Sequence, residues 1–238
     1  MKPLDSKLPN VGTTIFTLMS QLAEQHAAVN LSQGFPDFQP PAELLRLVER
    51  ALEGRHHQYA PMPGAIELRT AIAQKLRTLY SVQADAVGEI TITSGATEAI
   101  FDAIQAVVRR DDEVIVFDPC YDSYEPSITL AGGRAVHLPL TFPEFRIDWQ
   151  RLKEALNART RLVIVNSPHN PSGALLTRAD FELLAELLRP YDCYLLSDEV
   201  YEHVVFDGAL HATALAHAEL AQRCVAVFSF GKTYHATG

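Results

Sequence analysis

Leu162-Val163-Ile164-Val165-Asn166 is an almost wholly apolar run that empties into a polar loop, Ser167-Pro168-His169-Asn170-Pro171-Ser172-Gly173. The run alternates too little for a strand with one solvated face, so it reads as a strand covered on both. Behind the loop, Thr177 is an N-cap candidate with Asp180 three residues on, and Phe181, Leu184 and Leu188 then repeat with helical spacing. A second short apolar strand, 194–197, follows the helix. Strand, helix, strand in this order is the unit of a parallel sheet, because two parallel strands need a crossover between them.

The same grammar extends in both directions. Residues 90–93, 113–117, 135–138 and 224–228 also read as strands, and Ala99, Ile100, Ala103, Ile104, Val107 and Val108 recur with helical spacing. The fold expected is therefore α/β, a mostly parallel sheet with helices on both faces. Upstream, a proline-rich loop over 36–41 precedes a helix over 42–52 closed by Gly54, and a longer helix covers 65–79. In that longer helix Ala65, Leu68, Ile72, Leu76 and Leu79 form one apolar stripe, read here as core.

Composition narrows the function classes. The 238 residues are 47% hydrophobic and 21% charged, with a formal net charge of -9 and no polybasic run, so neither nucleic acid nor an anionic membrane is an expected partner. No apolar segment follows Lys2 and Lys7 as in a signal peptide, and no stretch approaches the length of a membrane span, so a cytoplasmic protein is expected. Cys120, Cys193 and Cys224 have no CxxC spacing, and the His residues form no HExxH pattern, with His56-His57 reading as a solvated turn. No metal is expected. Cys193 and Cys224 read as small apolar residues beside strands.

Ligands of open α/β sheets bind beyond the carboxyl ends of the strands. The first such end holds Ser94-Gly95-Ala96-Thr97, where a glycine turn opens a helix and offers free N–H groups and a hydroxyl to a phosphate, although Thr97 taken alone reads first as an ordinary N-cap. The next holds Asp118-Pro119-Cys120-Tyr121-Asp122-Ser123-Tyr124, a turn that places Tyr121 against a flat ring or simply on the surface. The 166–173 loop fixes Asn170 between two X-Pro bonds, either as an inward amide donor or as a structural turn. Asp198-Glu199-Val200-Tyr201 sets an acid and a phenol three residues apart, and an aspartate beside a ring nitrogen keeps that nitrogen protonated. Ser229-Phe230-Gly231-Lys232 follows an apolar strand, where a lysine that is partly desolvated beside cationic neighbours would have a free amine able to form an imine. A surface lysine is the alternative.

Gly231-Lys232-Thr233 also resembles the end of a P-loop, but Ala226 stands where GxxxxGK[ST] needs glycine, and no GxGxxG lies between a strand and a helix as a nicotinamide fold requires. A phosphate cradle, a stacking aromatic, an amide donor, an acid with a phenol, and a lysine are together the inventory that pyridoxal phosphate requires. In that order along the chain, Ser94-Gly95-Ala96-Thr97-Glu98, Pro168-His169-Asn170-Pro171, Ser197-Asp198-Glu199-Val200-Tyr201 and Ser229-Phe230-Gly231-Lys232 resemble the class I/II aminotransferases of fold type I. Asn30-Leu31-Ser32-Gln33-Gly34-Phe35-Pro36-Asp37-Phe38, Gln58-Tyr59-Ala60-Pro61-Met62 and Phe230-Gly231-Lys232-Thr233-Tyr234-His235 are most similar to the methionine and kynurenine aminotransferase group within that class.

The resemblance implies a catalytic set of Lys232, Asp198 and Tyr201: Lys232 forms the Schiff base with pyridoxal 5'-phosphate and shuttles the proton, Asp198 pairs with the pyridine nitrogen, and Tyr201 and Asn170 bond the ring's phenolic oxygen. It gives Tyr121 the stacking position, Gly95, Ala96, Thr97 and Ser229 the phosphate, and Gly34, with Asn170, the substrate. Tyr59 would reach the phosphate of a neighbouring subunit, so a homodimer is implied. The reaction implied is a ping-pong transfer of the amino group of an amino acid, methionine or an aromatic one, to a 2-oxo acid. A cysteine-conjugate β-lyase and an inactive cofactor-binding fragment are the alternatives.

Members of the family are longer, whereas this chain ends six positions beyond Lys232. The expectation is a C-terminally truncated piece comprising an N-terminal arm and substrate loop over 1–40 and an incomplete pyridoxal-phosphate-binding large domain over 41–238, with the C-terminal small domain absent. Such a piece would expose apolar surface and be poorly soluble or unstable alone.

Overall fold

The computed structural model describes residues 5–34, 36–54 and 56–237, so Lys2, Phe35 of the 30–38 motif, and the outermost residues of both expected domains lie outside the described residues. Along the chain come helices α1 (Ile15–Gln25), α2 (Ala42–Glu53), α3 (Ile66–Tyr80) and α4 (Ala96–Val107), then strand β1 (Glu113–Asp118). There follow α5 (Tyr124–Ala131), β2 (Arg134–Pro139), α6 (Trp149–Ala155), β3 (Thr160–Asn166), α7 (Arg178–Leu188) and β4 (Tyr194–Asp198). A 3-10 turn (Ala214–Ala216), α8 (Ala218–Ala221), β5 (Cys224–Val227) and α9 (Phe230–Tyr234) complete the order.

The 162–166 run lies inside β3, and β3 sits in the middle of a five-stranded sheet ordered β2-β1-β3-β4-β5 in which every pairing is parallel. Both faces of that sheet are covered. Ile115, Phe117, Val163, Val165 and Leu195 pack on α6, α7 and α8 through Leu152, Phe181, Leu184, Leu188 and Leu220. Val114, Val116, Leu162, Ile164 and Leu196 face the other way, onto Ile100 and Ile104 of α4 and Tyr124 and Ile128 of α5. Successive side chains of a strand point to opposite faces, so burial on both explains why these strands lack a polar alternation. Each fully buried Val, Leu or Ile contributes about 1.5–3 kcal/mol relative to exposure, which makes this double-sided core the main stabilising term.

The helix ends follow their sequence signals closely. Thr177 caps α7 in a reciprocal box: its hydroxyl accepts from the Asp180 amide, and the Asp180 carboxylate accepts from the Thr177 amide. Gly54 closes α2. Cys193 and Cys224 are free thiols, the first buried against the core and the second partly buried at the start of β5. His56 and His57 are exposed.

Two expectations are corrected. Residues 90–93 do not form a strand; the Ile92 amide donates to the Pro63 carbonyl, and no strand lies beside the segment among the described residues. A β-rich run becomes a strand only where a second edge supplies the ladder. The apolar stripe of α3 is not core either. Leu76 is buried, but Leu68 and Leu79 are exposed, because no element packs along that side of the helix among the described residues. Exposed Leu52, Phe206, Leu210 and Phe230 add to this uncovered apolar surface. None of the described helices is long and apolar enough to cross a membrane.

At the amino end of the sheet, far along the strands from their carboxyl termini, Glu113 is buried and ties three segments together. Its carboxylate accepts from Asn157 Nδ2 at 2.9 Å, Arg134 Nη2 at 2.8 Å and Arg159 Nε at 2.6 Å. The Asn157 hydrogen bond and the two guanidiniums hold the carboxyl down at about 2. Because the folded value lies below the unfolded one, this contribution is complete above pH 4.5 and is lost as pH falls toward 2. Glu113→Gln is expected to lower the unfolding free energy by on the order of 1–2 kcal/mol at pH 7 and to flatten the acid limb of the stability curve, measured by denaturant titration at stepped pH.

Candidate active site

The strand order reverses between β1 and β3: the chain leaves β1 outward to β2, then crosses back to β3 and continues outward through β4 and β5. Loops from adjacent strands diverge at such a point and leave a crevice at the carboxyl edge. Asn166, Asp198 and Val227 stand in register at that edge, so the segments after β3, β4 and β5 depart side by side. An open cavity there is lined by Gly95, Thr97, Tyr121, Asn170, Asp198, Tyr201, Ser229 and Lys232, which were picked out from separate stretches of sequence.

On the far side of the crevice, Gly95 caps α4 with φ of 89°, a conformation that side chains other than hydrogen rarely adopt. The cap is Gly95, which corrects the reading of Thr97 as an ordinary N-cap; Thr97 is the second helical residue. The amides of a helix's first turn have no acceptor within it and carry the positive end of its dipole, so Ala96 and Thr97 offer N–H groups suited to an anion. Thr97 Oγ1 lies 3.1 Å from the Tyr121 hydroxyl, which brings the cradle and the aromatic of the next loop together.

Asp198 is 3% exposed. Its Oδ2 accepts from the Tyr124 hydroxyl at 2.5 Å and its Oδ1 from the Val200 amide at 3.3 Å. Burial pushes the Asp198 carboxyl up, against the opposing pull of Tyr124, the Val200 amide and the Lys232 ammonium. Burial, with the carboxylate beside it, pushes the Tyr124 phenol well up too, so Tyr124 stays a donor. A buried carboxylate in this state gains most from a cation brought alongside, which favours its ionised form.

The loop after β3 is held by its own polar groups. Asn166 Nδ2 donates to the Asp198 carbonyl at 2.8 Å, and Asn166 Oδ1 accepts from the Asn170 amide at 2.8 Å, so Asn170 is tied to the strand that ends in Asp198. His169 spans the crevice: its Nε2 donates to the Pro119 carbonyl at 2.9 Å and its Nδ1 accepts from Ser172 Oγ at 2.7 Å.

Ser229 caps α9, its hydroxyl accepting from the Lys232 amide at 3.3 Å. The Lys232 ammonium lies over the Tyr201 ring, 5.7 Å from its centre. Burial and the Asp198 carboxylate raise the Tyr201 phenol. The expected desolvation of Lys232 is not found: the residue is exposed, and the aromatic contact from outside α9 is Phe38 on its C-cap His235, 5.2 Å between ring centres. Gly34 lies on the cavity wall, whereas Tyr59 is fully exposed and away from the other site residues.

Tyr124, Asn166 and His169 stand in the quoted runs without an assigned role, and only the fold shows that they are the supports of Asp198, Asn170 and the β1 loop. Tyr124 carries a faint signal, an aromatic one helical turn beyond Tyr121. Beside them, Asp118, Cys120 and His137 bring a carboxylate, a thiol and an imidazole within 4.8 Å of one another. Burial, with Asp118 as acceptor, pushes the Cys120 thiol up to about 12.

Burial lowers the His169 pKa. Between that value and the unfolded one the unfolded chain binds more protons, so this residue makes stability fall as pH drops below about 6.5. His169→Leu is expected to cost about 1–3 kcal/mol at pH 7.5, from the Pro119 carbonyl left unpaired, and to remove the slope below pH 6.5 in denaturant titrations.

A protein-family model described as aminotransferase class I and II matches residues 27–238. Methionine aminotransferase of Escherichia coli (strain K12) is 55% identical over 234 residues, which is 98% of this chain and 60% of that protein. A solved Escherichia coli structure with methionine aminotransferase function superimposes with a TM-score of 0.94 at 53% identity, covering 99% of this chain and 62% of the other. N-Succinyldiaminopimelate aminotransferase from Mycobacterium tuberculosis gives 0.94 at 39% identity, again over 99% of this chain and 62% of the other. The chain thus spans about 60% of the length of these relatives and matches solved fold-type I structures over almost its whole extent. By the family model, the motif order and the fold together, it belongs to the class I and II aminotransferases.

Proposed function

We propose that this chain is the pyridoxal-phosphate-binding part of an aminotransferase that moves the amino group of an amino acid to a 2-oxo acid, with methionine or an aromatic amino acid as donor. The observation that carries the reading is the meeting, at one sheet edge, of a buried carboxylate poised for a cationic partner, a phenol, a lysine and an anion-seeking helix start. The residues fit the cofactor by donor chemistry: its phosphate matches the Ala96 and Thr97 amides with the Thr97 and Ser229 hydroxyls, and its ring nitrogen matches Asp198. Tyr121 supplies a face for the ring, Tyr201 and Asn170 supply donors for the phenolic oxygen, and Lys232 supplies the amine for the aldehyde carbon.

When bound, pyridoxal phosphate supplies an electron sink for the bond broken beside the substrate nitrogen. The chain's own work is protonation and orientation. Asp198, buried and steered by Tyr124, holds a proton on the ring nitrogen, since each charge favours the other's ionised form. The Tyr201 hydroxyl donates to the phenolic oxygen and Asn170, fixed through Asn166, does so beside it. Lys232 would hold the cofactor through its amine and, once that amine is released, would be the group that carries a proton between substrate and cofactor.

In the same reading residues 1–40 form an arm and substrate loop with Gly34 beside the substrate carboxylate, and 41–238 belong to the cofactor-binding domain. Tyr59, fully exposed here, reaches a phosphate in a second copy, which makes the working form a cytoplasmic homodimer. Mixing the chain with pyridoxal phosphate is expected to give a visible absorption band that Lys232→Ala abolishes and that methionine converts to the pyridoxamine form. An equal band in Lys232→Ala would refute the assignment.

A further inference from the structure

Two buried carboxylates flank the turn that carries Asp198 and Tyr201, and neither has a role in the chemistry above. Glu199, 0% exposed, accepts from Ser197 Oγ at 2.8 Å, Thr213 Oγ1 at 3.1 Å, the Ala214 amide at 3.1 Å and His211 Nε2 at 2.7 Å. Those partners all lie on β4 or the segment leading to β5, so Glu199 fastens the turn to its own sheet. Glu202, 3% exposed, is fastened instead to a distant helix: the Tyr80 hydroxyl donates to its Oε2 at 2.6 Å, and the Lys75 ammonium pairs with its Oε1. The Tyr80 ring also meets the His211 ring edge-on at 5.7 Å, so α3 touches the supports of both carboxylates.

Lys75 does a second thing at the same time. Its ammonium stands over the Phe228 ring, 4.8 Å from the centre. Phe228 immediately precedes Ser229, the cap of the turn that presents Lys232, while Glu202 immediately follows Tyr201. One cation therefore contacts both of the segments that leave β4 and β5. It binds the first by an ion pair to a buried carboxylate that also accepts from Tyr80 and lies 3.7 Å from His203 Nε2, and the second by a cation–π contact. Neither segment can move relative to the other without losing one of these.

We propose that Lys75 is a positioning residue of the site: by holding Glu202 and Phe228 at once, it sets the Tyr201 phenol against Lys232. The proposal rests on the reading of Lys232 and Tyr201 as cofactor ligands, and it predicts more than a loss of stability. Lys75 acts through Tyr201, so its effect on the cofactor disappears when Tyr201 has no hydroxyl.

Two measurements on the purified chain test it. Without cofactor, Lys75→Met should raise amide hydrogen exchange about tenfold in peptides covering 199–204 and 228–233 while leaving α7 unchanged, and Lys75→Arg should restore much of the protection. With pyridoxal phosphate, the pH midpoint of the Lys232-dependent band should shift in Lys75→Met in the same direction as in Tyr201→Phe, and the double substitution should shift no further than Tyr201→Phe alone. Unchanged exchange in either peptide, or additive shifts, would overturn the proposal. A wild-type chain with no Lys232-dependent band would refute the reading of the site, and the exchange arm would still decide whether Lys75 couples the two segments.

Discussion

A parallel sheet whose strands are apolar on both faces leaves polar chemistry only one place to assemble, past the strand ends. Here the burial of β1, β3 and β4 confines functional side chains to the strands' last residues, such as Asp198, and to the loops beyond, and the reversal of order between β1 and β3 opens the crevice where they gather. The register of Asn166, Asp198 and Val227 then sets the level at which three successive segments depart. The carboxyl edge carries the site and the opposite edge carries the Glu113 cluster, so one end of the sheet serves chemistry and the other stability.

Within that frame the electrostatics of the site centre on Asp198. Burial pushes its carboxyl pKa up, and the Tyr124 hydroxyl, the Val200 amide and Lys232 pull it the other way. A buried carboxyl under these opposing pulls gains from any cation set beside it, which a protonated ring nitrogen would be. The same supports are themselves braced: Asn166 by the Asp198 carbonyl, His169 by the Pro119 carbonyl, and the 198–203 turn by Glu199 and Glu202.

Most of the sheet was legible because its strands are too apolar to be anything but doubly buried and its helices carry their own caps, as Thr177 and Asp180 show. Four of the site motifs were legible because they stand at or just past the ends of β1, β3, β4 and β5, whereas the 94–97 turn follows a segment that is not a strand. What escaped depends on contacts between distant segments. The 90–93 run has the composition of a strand but no partner edge, the α3 stripe has the period of a core helix but nothing laid on it, and Lys232 has the expected place without the expected cover. Tyr124, Lys75 and Glu202 belong to the same class: an aromatic on a buried helix face, a lysine on a helix and an acid after a tyrosine have no meaning until α3, β4 and β5 are set side by side.

The measurement that tests the central claim most directly is chemical trapping. The chain is mixed with pyridoxal phosphate, reduced with borohydride, digested and mapped by mass spectrometry across Lys2, Lys7, Lys75, Lys153 and Lys232. Modification concentrated on Lys232, and lost when Asp198 is replaced by alanine, is the expected result. Modification spread over the lysines in proportion to their exposure would contradict the placement of the cofactor at the carboxyl edge of the sheet.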